Sequence, residues 1–277
     1  MKTILPLLFL AVIVALSGCI GGGGATSSSN GIIVSSFITD PSLVEASETV
    51  YFTADIQNVG GVKATGVRGE LIGLPSGWSL RQTAGSDCSV LFPPEPASGI
   101  EGDICTFEWE GTAPSSDTTM TYPVDFKVSY NYATKYEALL RVASRDWIRG
   151  LPTEEQDSEK GKLGVSYSGT QMGPIHVNVK LRSAEIYSGS TAYVILDIQN
   201  VGSGRPTNDI INIGVSGVSC SGAGQVKLSQ GKSKQIRCTM PTSGIKNWQN
   251  IRIDVDLNYD YWVKTSTEVQ VLSAPVM

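Results

Sequence analysis

Cysteine and histidine are the residues of this chain whose types could support nucleophilic, metal or redox chemistry. The 277 residues contain five Cys and one His, His176. A Ser-His-Asp or Cys-His arrangement would have to be built on His176, because its general base is an imidazole. His176 alternates with Asn178 and Lys180 on the polar face of an apolar segment, Ile175 to Leu181. We therefore expect a solvated strand histidine, no catalytic residue, no cofactor and no enzymatic activity.

Cys19 follows an N-terminal segment that is typical of exported proteins. Lys2 supplies a positive charge, and Ile4 to Leu16 form an apolar run. That run is shorter than the roughly 20 residues of a membrane-spanning helix, but it suits a secretory signal. Leu16-Ser17-Gly18-Cys19 resembles the lipobox of lipoprotein signal peptides, which implies a lipid on Cys19 and an extracytoplasmic, membrane-anchored protein. An ordinary signal cleaved near Gly18, or an uncleaved anchor, is the alternative.

The other four cysteines form two pairs, Cys88 with Cys105 and Cys220 with Cys238, separated by 17 and 18 positions. Neither pair has the Cys-x-x-Cys spacing of a zinc ribbon or redox motif. Thr follows the second member of each pair, which suggests that the pairs were duplicated together. We expect two structural disulfides, each contributing about 3 kcal/mol in the chain-entropy model, in an oxidising compartment.

The hexapeptide Asp-Ile-Gln-Asn-Val-Gly occurs at Asp55–Gly60 and again at Asp197–Gly202, 142 positions later. Flanking residues also recur, and Val128 to Tyr132 resembles Leu257 to Tyr261. The chain is therefore a tandem duplication. Asn-x-Gly is typical of a tight turn, in which the Asn side chain bonds the backbone two residues on and both residues tolerate positive φ.

Composition divides the chain around these repeats. Gly21 to Gly24 and the polar residues after them lack core-forming side chains, as in a flexible tether. Glu154 to Lys160 is a charged run, compatible with one helical turn capped at Thr153. The predicted organisation is a signal peptide at 1–18, the lipidated Cys and tether at 19–30, a first domain at 31–144, a charged linker at 145–168 and a second domain at 169–277.

Apolar and polar residues alternate from Val124 to Tyr132 and from Ile251 to Tyr261, which predicts strands with one buried face. Ala133-Thr134-Lys135 is predicted to turn the first of these into a returning strand, Tyr136 to Val142, as a hairpin. Short strands separated by Gly-rich turns predict an all-β chain with two tandem immunoglobulin-like β-sandwich domains.

A family resemblance supports this fold. Val50 to Gly60, Ala64 to Val67 and Leu74-Pro75-Ser76-Gly77-Trp78 resemble the CARDB group of immunoglobulin-like modules in bacterial and archaeal surface proteins. The second repeat keeps Asn200 to Gly202 but has Val215 to Val218 in place of the Leu-Pro-x-Gly-Trp segment. The resemblance implies a fold and carries no chemistry. Together with the Cys19 start, the whole chain resembles secreted archaeal lipoproteins with β-sandwich surface domains.

Two tryptophans are the candidate ligand contacts. Tyr130 and Tyr132 share a face with Val128, so they are expected in the core, although tyrosines could instead form a stacking platform for sugars. Trp262 directly follows Tyr261 and should therefore point to the opposite, outer face. Trp78 closes the Leu-Pro-x-Gly-Trp segment that is absent from the second repeat.

Charge and motif content limit the function. A net charge of −5 without a basic cluster disfavours nucleic-acid binding, and no Asp-x-Asp-x-Asp-Gly spacing predicts a metal site. The sequence favours a non-enzymatic, membrane-anchored surface protein that scaffolds or binds an envelope protein or polysaccharide. The alternatives are a polysaccharide-binding surface module and an accessory subunit of an extracellular enzyme or transporter.

Overall fold

The computed structural model describes residues 29–169 and 172–273, apart from the Tyr167 side chain. The predicted signal peptide, Cys19 and most of the tether lie outside these ranges. The fold is all-β, with 60% of the described residues in strands and 8% in helices. The first repeat contains the strands β1 (Ile32–Asp40), β2 (Leu43–Val44), β3 (Thr49–Asn58), β4 (Ala64–Ile72), β5 (Ser79–Ala84), β6 (Val90–Leu91), β7 (Ile104–Thr112) and β8 (Met120–Ala143).

The second repeat follows two short helices, α1 (Arg145–Arg149) and α2 (Thr153–Gly161). No helix in the described ranges is both long enough and apolar enough to cross a membrane. The remaining strands are β9 (Gly164–Ser168), β10 (Ile175–Leu181), β11 (Thr191–Asn200), β12 (Arg205–Pro206), β13 (Ile210–Ser216), β14 (Ser219–Ser221), β15 (Gly224–Lys227), β16 (Ser233–Pro241) and β17 (Trp248–Val271). Single-turn 3₁₀ helices occur at Pro96–Ser98 and Thr207–Asp209.

Each repeat forms a four-stranded outer sheet with the same strand order, β1-β3-β7-β5 in the first and β10-β11-β16-β14 in the second. Both outer sheets pack on one nine-stranded sheet that contains β8 and β17. Alternate residues of β8 are buried along the strand, from Val124 to Val142, so both outer sheets lie on the same side of the shared sheet. A single hydrophobic core extends through both sandwiches.

The two repeats exchange a strand. In an immunoglobulin-like sandwich, strands A, B, E and D form one sheet and strands C, F and G form the other. Outer sheet β1-β3-β7-β5 matches A-B-E-D, while β4 and the first half of β8 match C and F. The position of G, beside F, is filled by the second half of β17 from the other repeat. The second half of β8 fills the same position in the second sandwich, beside the first half of β17.

The hairpin predicted at Ala133–Lys135 is therefore wrong. These residues lie within β8, which pairs with β17 over 24 residues without a register shift. Thr134 is buried and lies opposite Leu257. Because β8 continues instead of turning back, its second half leaves its own sandwich and completes the other one, as in domain swapping within a single chain. At the rise of a β-strand, the paired strands make an elongated body about 80 Å long.

The centre of this pairing is an approximate two-fold axis. Asn131 lies opposite Asp260, and the Asn131 amide donates to Asn258 Oδ1 at 2.9 Å and to Asp260 Oδ1 at 3.3 Å. Four buried tyrosines surround the axis: Tyr130 opposite Tyr261 and Tyr132 opposite Tyr259, with ring centroids 5.8 and 6.3 Å apart. The prediction that Tyr130 and Tyr132 belong to the core is confirmed.

The repeated Asn-Val-Gly turns meet these tyrosines. Asn58 Nδ2 donates to the carbonyls of Val62 and Leu91 at 2.9 Å, and its Oδ1 accepts from Gly60 N and from the Tyr132 hydroxyl. Asn200 repeats this pattern in the second copy, binding the carbonyls of Gly204 and Gly231, the amide of Gly202 and the hydroxyl of Tyr261. The predicted Asn bond to the backbone two residues on is thus confirmed.

Glycine is required in these turns by close packing, not by positive φ. Neither Gly60 nor Gly202 has a positive φ. A Cβ on Gly60 would lie 2.0 Å from Tyr132 Oη, and one on Gly202 would lie 2.7 Å from Tyr261 Oη. Since real Cβ atoms do not approach so closely, each glycine lets a turn rest directly on a tyrosine of the other sheet.

The predicted linker is ordered. Helix α2 begins at Thr153, but Pro152 occupies the N-cap position, so Thr153 does not cap the helix as predicted. Glu159 of α2 pairs with Arg141 of β8 at 2.7 Å, and both side chains are largely buried. Strand β9 then pairs with the second half of β8. The segment between the repeats is therefore fixed to the strand that the first repeat donates.

Candidate functional site: a charged groove on the second outer sheet

The exposed face of the second outer sheet contains a groove of about 500 Å³. We call it the arginine groove and define it by the side chains of Arg182, Tyr193, Ile195, Ser219, Ser221, Arg237 and Thr239. Two guanidinium groups, three hydroxyls and one phenol ring line it.

The alternation of β11 and its neighbours places these side chains outside. Val194 and Leu196 are buried, so Tyr193 and Ile195 point to solvent, and Tyr193 is 52% exposed. Thr239 lies opposite Tyr193, and Arg237 opposite Ile195. Antiparallel partners point to the same face of a sheet, which brings these side chains together.

The groove carries uncompensated positive charge. Arg182 lies over the Tyr193 ring, 5.7 Å from its centroid. Within the described ranges, neither Arg182 nor Arg237 forms an ion pair with a carboxylate. Arginine presents a planar fork of donors that suits carboxylates and other oxyanions. The groove can therefore bind an anionic group, and none of its side chains forms a nucleophile and base pair.

The nearby lysine is already neutralised. Lys180 Nζ lies 2.6 Å from Asp197 Oδ2. This bond, with a second one from Gln199, lowers the pKa of Asp197 in spite of its burial. Asp197, the first residue of the repeated hexapeptide, thus holds Lys180 beside the groove.

The equivalent face of the first sandwich has the opposite charge. Tyr51, 43% exposed, occupies the register of Tyr193. Asp40 lies opposite Tyr51 in the first repeat, and the equivalent position beside Tyr193 in the second repeat is Arg182. Glu108 occupies the register of Arg237, and Glu110 that of Thr239.

We call this surface the acidic face and define it by Asp40, Tyr51, Arg81, Glu108 and Glu110. Arg81, in the register of Ser219, pairs with Glu110 at 2.7 Å. The carboxylates of Asp40 and Glu108 have no cationic partner among the described residues, so this face keeps a net negative charge.

Both predicted disulfides are present, Cys88–Cys105 and Cys220–Cys238. They do not occupy equivalent positions. Cys238 lies opposite Val194 in the second repeat, and the equivalent residue in the first repeat is Trp109. Cys105 instead lies opposite Ile56, at a different position along β7. The idea that the pairs were duplicated together is therefore wrong. Asp87 lies near the sulfurs of the first pair, but cysteines joined in a disulfide are not the thiolate ligands that metals require.

The two candidate tryptophans differ in exposure. Trp78 is only 8% exposed and packs against Phe52 and Tyr122, with ring centroids 5.9 and 5.7 Å away. It is a core residue, which conflicts with the expected ligand contact. Trp262 lies on the outer face of the shared sheet as expected, half-buried, with Lys127 Nζ 5.8 Å from its ring centroid. A ligand contact by Trp262 stays a prediction.

His176 lies on the outer face of β10 but is only partly solvated. Burial lowers its pKa, and its Nε2 has no hydrogen-bond partner among the described residues. Tyr136, Tyr259 and Tyr261 are buried like Tyr130 and Tyr132. The described residues therefore show no row of exposed tyrosines of the kind that a sugar-stacking platform would need.

Comparisons with known proteins give distant likenesses. No protein-family model and no curated protein matches the chain. Similar solved structures include the secreted serine protease VesC from Vibrio cholerae, with a TM-score of 0.25 and 12% identity over 84% of this chain and 51% of the protease. The chain thus spans about half of that protein's length.

Two adhesins are also similar. They are the Enterococcus faecalis MSCRAMM ACE (TM-score 0.19, 9% identity, 91% of this chain and 98% of the adhesin) and the collagen adhesin CNA from S. aureus (TM-score 0.14, 10% identity, 91% and 96%). At these scores the likenesses give no argument about function. The sheet topology itself establishes the immunoglobulin-like sandwiches.

Sequence reasoning did not identify the groove. Its residues come from three strands and from Arg182, which directly follows β10, and none stands in a motif. The signal was nevertheless present, because aligning the repeats by Tyr51 and Tyr193 places Asp40 against Arg182.

Proposed function

We propose that the protein is a non-enzymatic, extracytoplasmic interaction module, anchored to the membrane through a lipid on Cys19. The observation that carries the proposal is the arginine groove, an exposed cationic site on a pair of sandwiches that share one sheet. Its partner is an envelope protein or polysaccharide that supplies an anionic group to this groove. The two disulfides support a location outside the reducing cytoplasm, and a CARDB-like surface lipoprotein is the class proposed here.

A polysaccharide is the second candidate partner. Acidic sugars carry carboxylates that suit Arg182 and Arg237, and Tyr193 offers an exposed ring on which a sugar could stack. Tyr51 is also exposed, but it stands among carboxylates that would repel an acidic sugar, so the arginine groove is the proposed place for such a ligand.

The anchor is tested by Cys19→Ser. We expect the variant to remain unprocessed or to leave the membrane fraction, because lipid is the proposed attachment. Detergent partitioning and intact mass of the wild type and variant measure this. Identical partitioning with no lipid mass on the wild type would refute anchoring at Cys19, while Cys88→Ser with Cys105→Ser is the matched control that keeps membrane attachment.

A further inference from the structure

We propose that the anionic partner of the arginine groove is the acidic face of a second copy of this chain, and that two copies form an antiparallel dimer. This inference rests on the proposed function, since it names the partner of the same groove. Each copy would place its first sandwich on the second sandwich of the other copy.

Charge reversal at equivalent registers is the main argument. Two positions change from acid to base between the first and the second repeat, Asp40 to Arg182 and Glu108 to Arg237. The exposed tyrosines, Tyr51 and Tyr193, keep the same register. The two faces therefore have similar strand layouts and opposite charges, which is the complementarity that steers and aligns protein partners.

The surrounding residues support a contact that excludes water. Tyr51 and Tyr193 are exposed, and tyrosine is one of the residue types that anchor many protein interfaces. Ile38, 54% exposed, lies opposite Thr53 on the acidic face, and Ile195 lies within the groove. Arg182 and Arg237 lack carboxylate partners among the described residues, so binding would break no ion pair of theirs.

The arrangement of the sheets favours a closed dimer over an open chain. Both outer sheets lie on the same side of the shared sheet, so two copies facing each other in opposite directions can join both pairs of faces at once. A sheet face made of four strands, each about eight residues long, covers about 500 Å² at ordinary strand spacing. One contact would bury about 1,000 Å² in total, the lower limit for a specific interface, whereas two would bury about 2,000 Å².

Charge-reversal variants test this inference on the full chain in detergent. The first variant carries Arg182→Glu with Arg237→Glu, and the second carries Asp40→Arg with Glu108→Arg. We expect the wild type to sediment as a dimer at low ionic strength and to dissociate in about 1 M NaCl, where screening acts over about 3 Å. Each variant alone should be monomeric, with dimer affinity lower by more than about tenfold.

An equimolar mixture of the two variants should restore the dimer. Both outer faces are acidic in the first variant and basic in the second, so a mixed dimer has complementary charges at both contacts. Lys135→Glu with Asp256→Lys reverses an exposed ion pair on the opposite face of the shared sheet and should leave the dimer unchanged. Dimerisation of either variant alone at wild-type affinity, or a mixture that stays monomeric although both variants fold, would overturn the inference.

Retention on immobilised polygalacturonate separates this inference from the proposed function. Loss of retention by the Arg182→Glu/Arg237→Glu variant, with the dimer unaffected in both variants, would overturn self-association and leave an anion-binding module. Unchanged retention together with unchanged sedimentation in both variants would overturn both proposals.

Discussion

The junction between the two sandwiches and their outer faces have diverged to very different degrees. At the junction, Asn58 and Asn200 make the same four hydrogen bonds, and each rests on a tyrosine, Tyr132 or Tyr261. On the outer faces, equivalent registers carry opposite charges. Each repeat retained what the strand exchange needs, because a change there would affect both halves. The outer faces carry no such constraint and became different surfaces.

The strand exchange is the feature whose loss should have the largest effect. A chain ending at Asn258 keeps every residue of the first repeat but loses Tyr259, Tyr261, Val263, Val269 and Val271, all buried. Burial of five such side chains contributes on the order of 10 kcal/mol, comparable with the whole stability of a domain. We expect the amides of β3 and β7 to lose protection in hydrogen exchange.

A chain ending at Leu272 is the matched control and should keep full protection. Retained protection of β3 and β7 in the shorter chain would show that the first sandwich folds independently, and the junction would then not constrain the two repeats together.

The junction asparagines should give the next largest effect. Asn58→Leu would leave two buried carbonyls, an amide and the Tyr132 hydroxyl without their partner, at a cost of about 4 kcal/mol. Asn200→Leu should cost about 3 kcal/mol, because Asn200 is only half-buried and water can replace part of its bonding. Urea unfolding midpoints measure both.

Asn212→Leu, at an exposed position of β13, should change stability by less than about 0.5 kcal/mol. Equal, small effects of all three substitutions would mean that the shared asparagine contacts do not stabilise the junction.

Removing each disulfide in turn compares how much the two bonds stabilise their own sandwiches. Removing either pair by Cys→Ser substitution should cost about 3 kcal/mol, because closed loops of 17 and 18 residues differ little in chain entropy. Thermal unfolding of each double variant, with and without reductant, measures the two losses. A difference of several kcal/mol would show that position in the sheet matters more than loop length.

The smallest expected effect concerns Asp197. Its folded-state pKa is lowered by Lys180, so this interaction stabilises the protein above the ordinary Asp pKa near 4. The contribution is lost as pH falls through the lower, folded-state value. We expect Asp197→Asn to flatten the acid limb of stability against pH, and Lys180→Met to do the same. Parallel acid limbs in wild type and both variants would argue against this pair.

Much of the fold could be predicted from the sequence because the repeats and strand alternation are explicit. The hairpin error has a physical cause, since a period of two is the same whether a strand turns back or continues into the next sandwich. Ala133-Thr134-Lys135 contains no Gly, Asn or Pro, the residues that form tight turns, and this absence was the available warning.

The site was less accessible to sequence reasoning. Trp78 is a candidate ligand contact because it closes a segment that the second repeat lacks, yet its ring packs beside Phe52 in the core. Aligning the repeats pairs Asp40 with Arg182, but the change from Glu108 to Arg237 is visible only after cross-strand registers are known. The offset between equivalent residues in β7 and β16 differs from the offset of 142 in β3 and β11. Tertiary pairing, not local pattern, assembles the groove.

The entry of the chain at mid-length limits how the protein can stand on a membrane. Asn30 accepts a hydrogen bond from Ser203, and Gly31 packs on Tyr130, beside the two-fold axis. Ten residue steps separate Cys19 from Ser29, so the tether can span at most about 36 Å. An upright body about 80 Å long would need its midpoint about 40 Å above the bilayer, which exceeds this span. A lipid on Cys19 would thus keep the body from standing fully upright on the membrane.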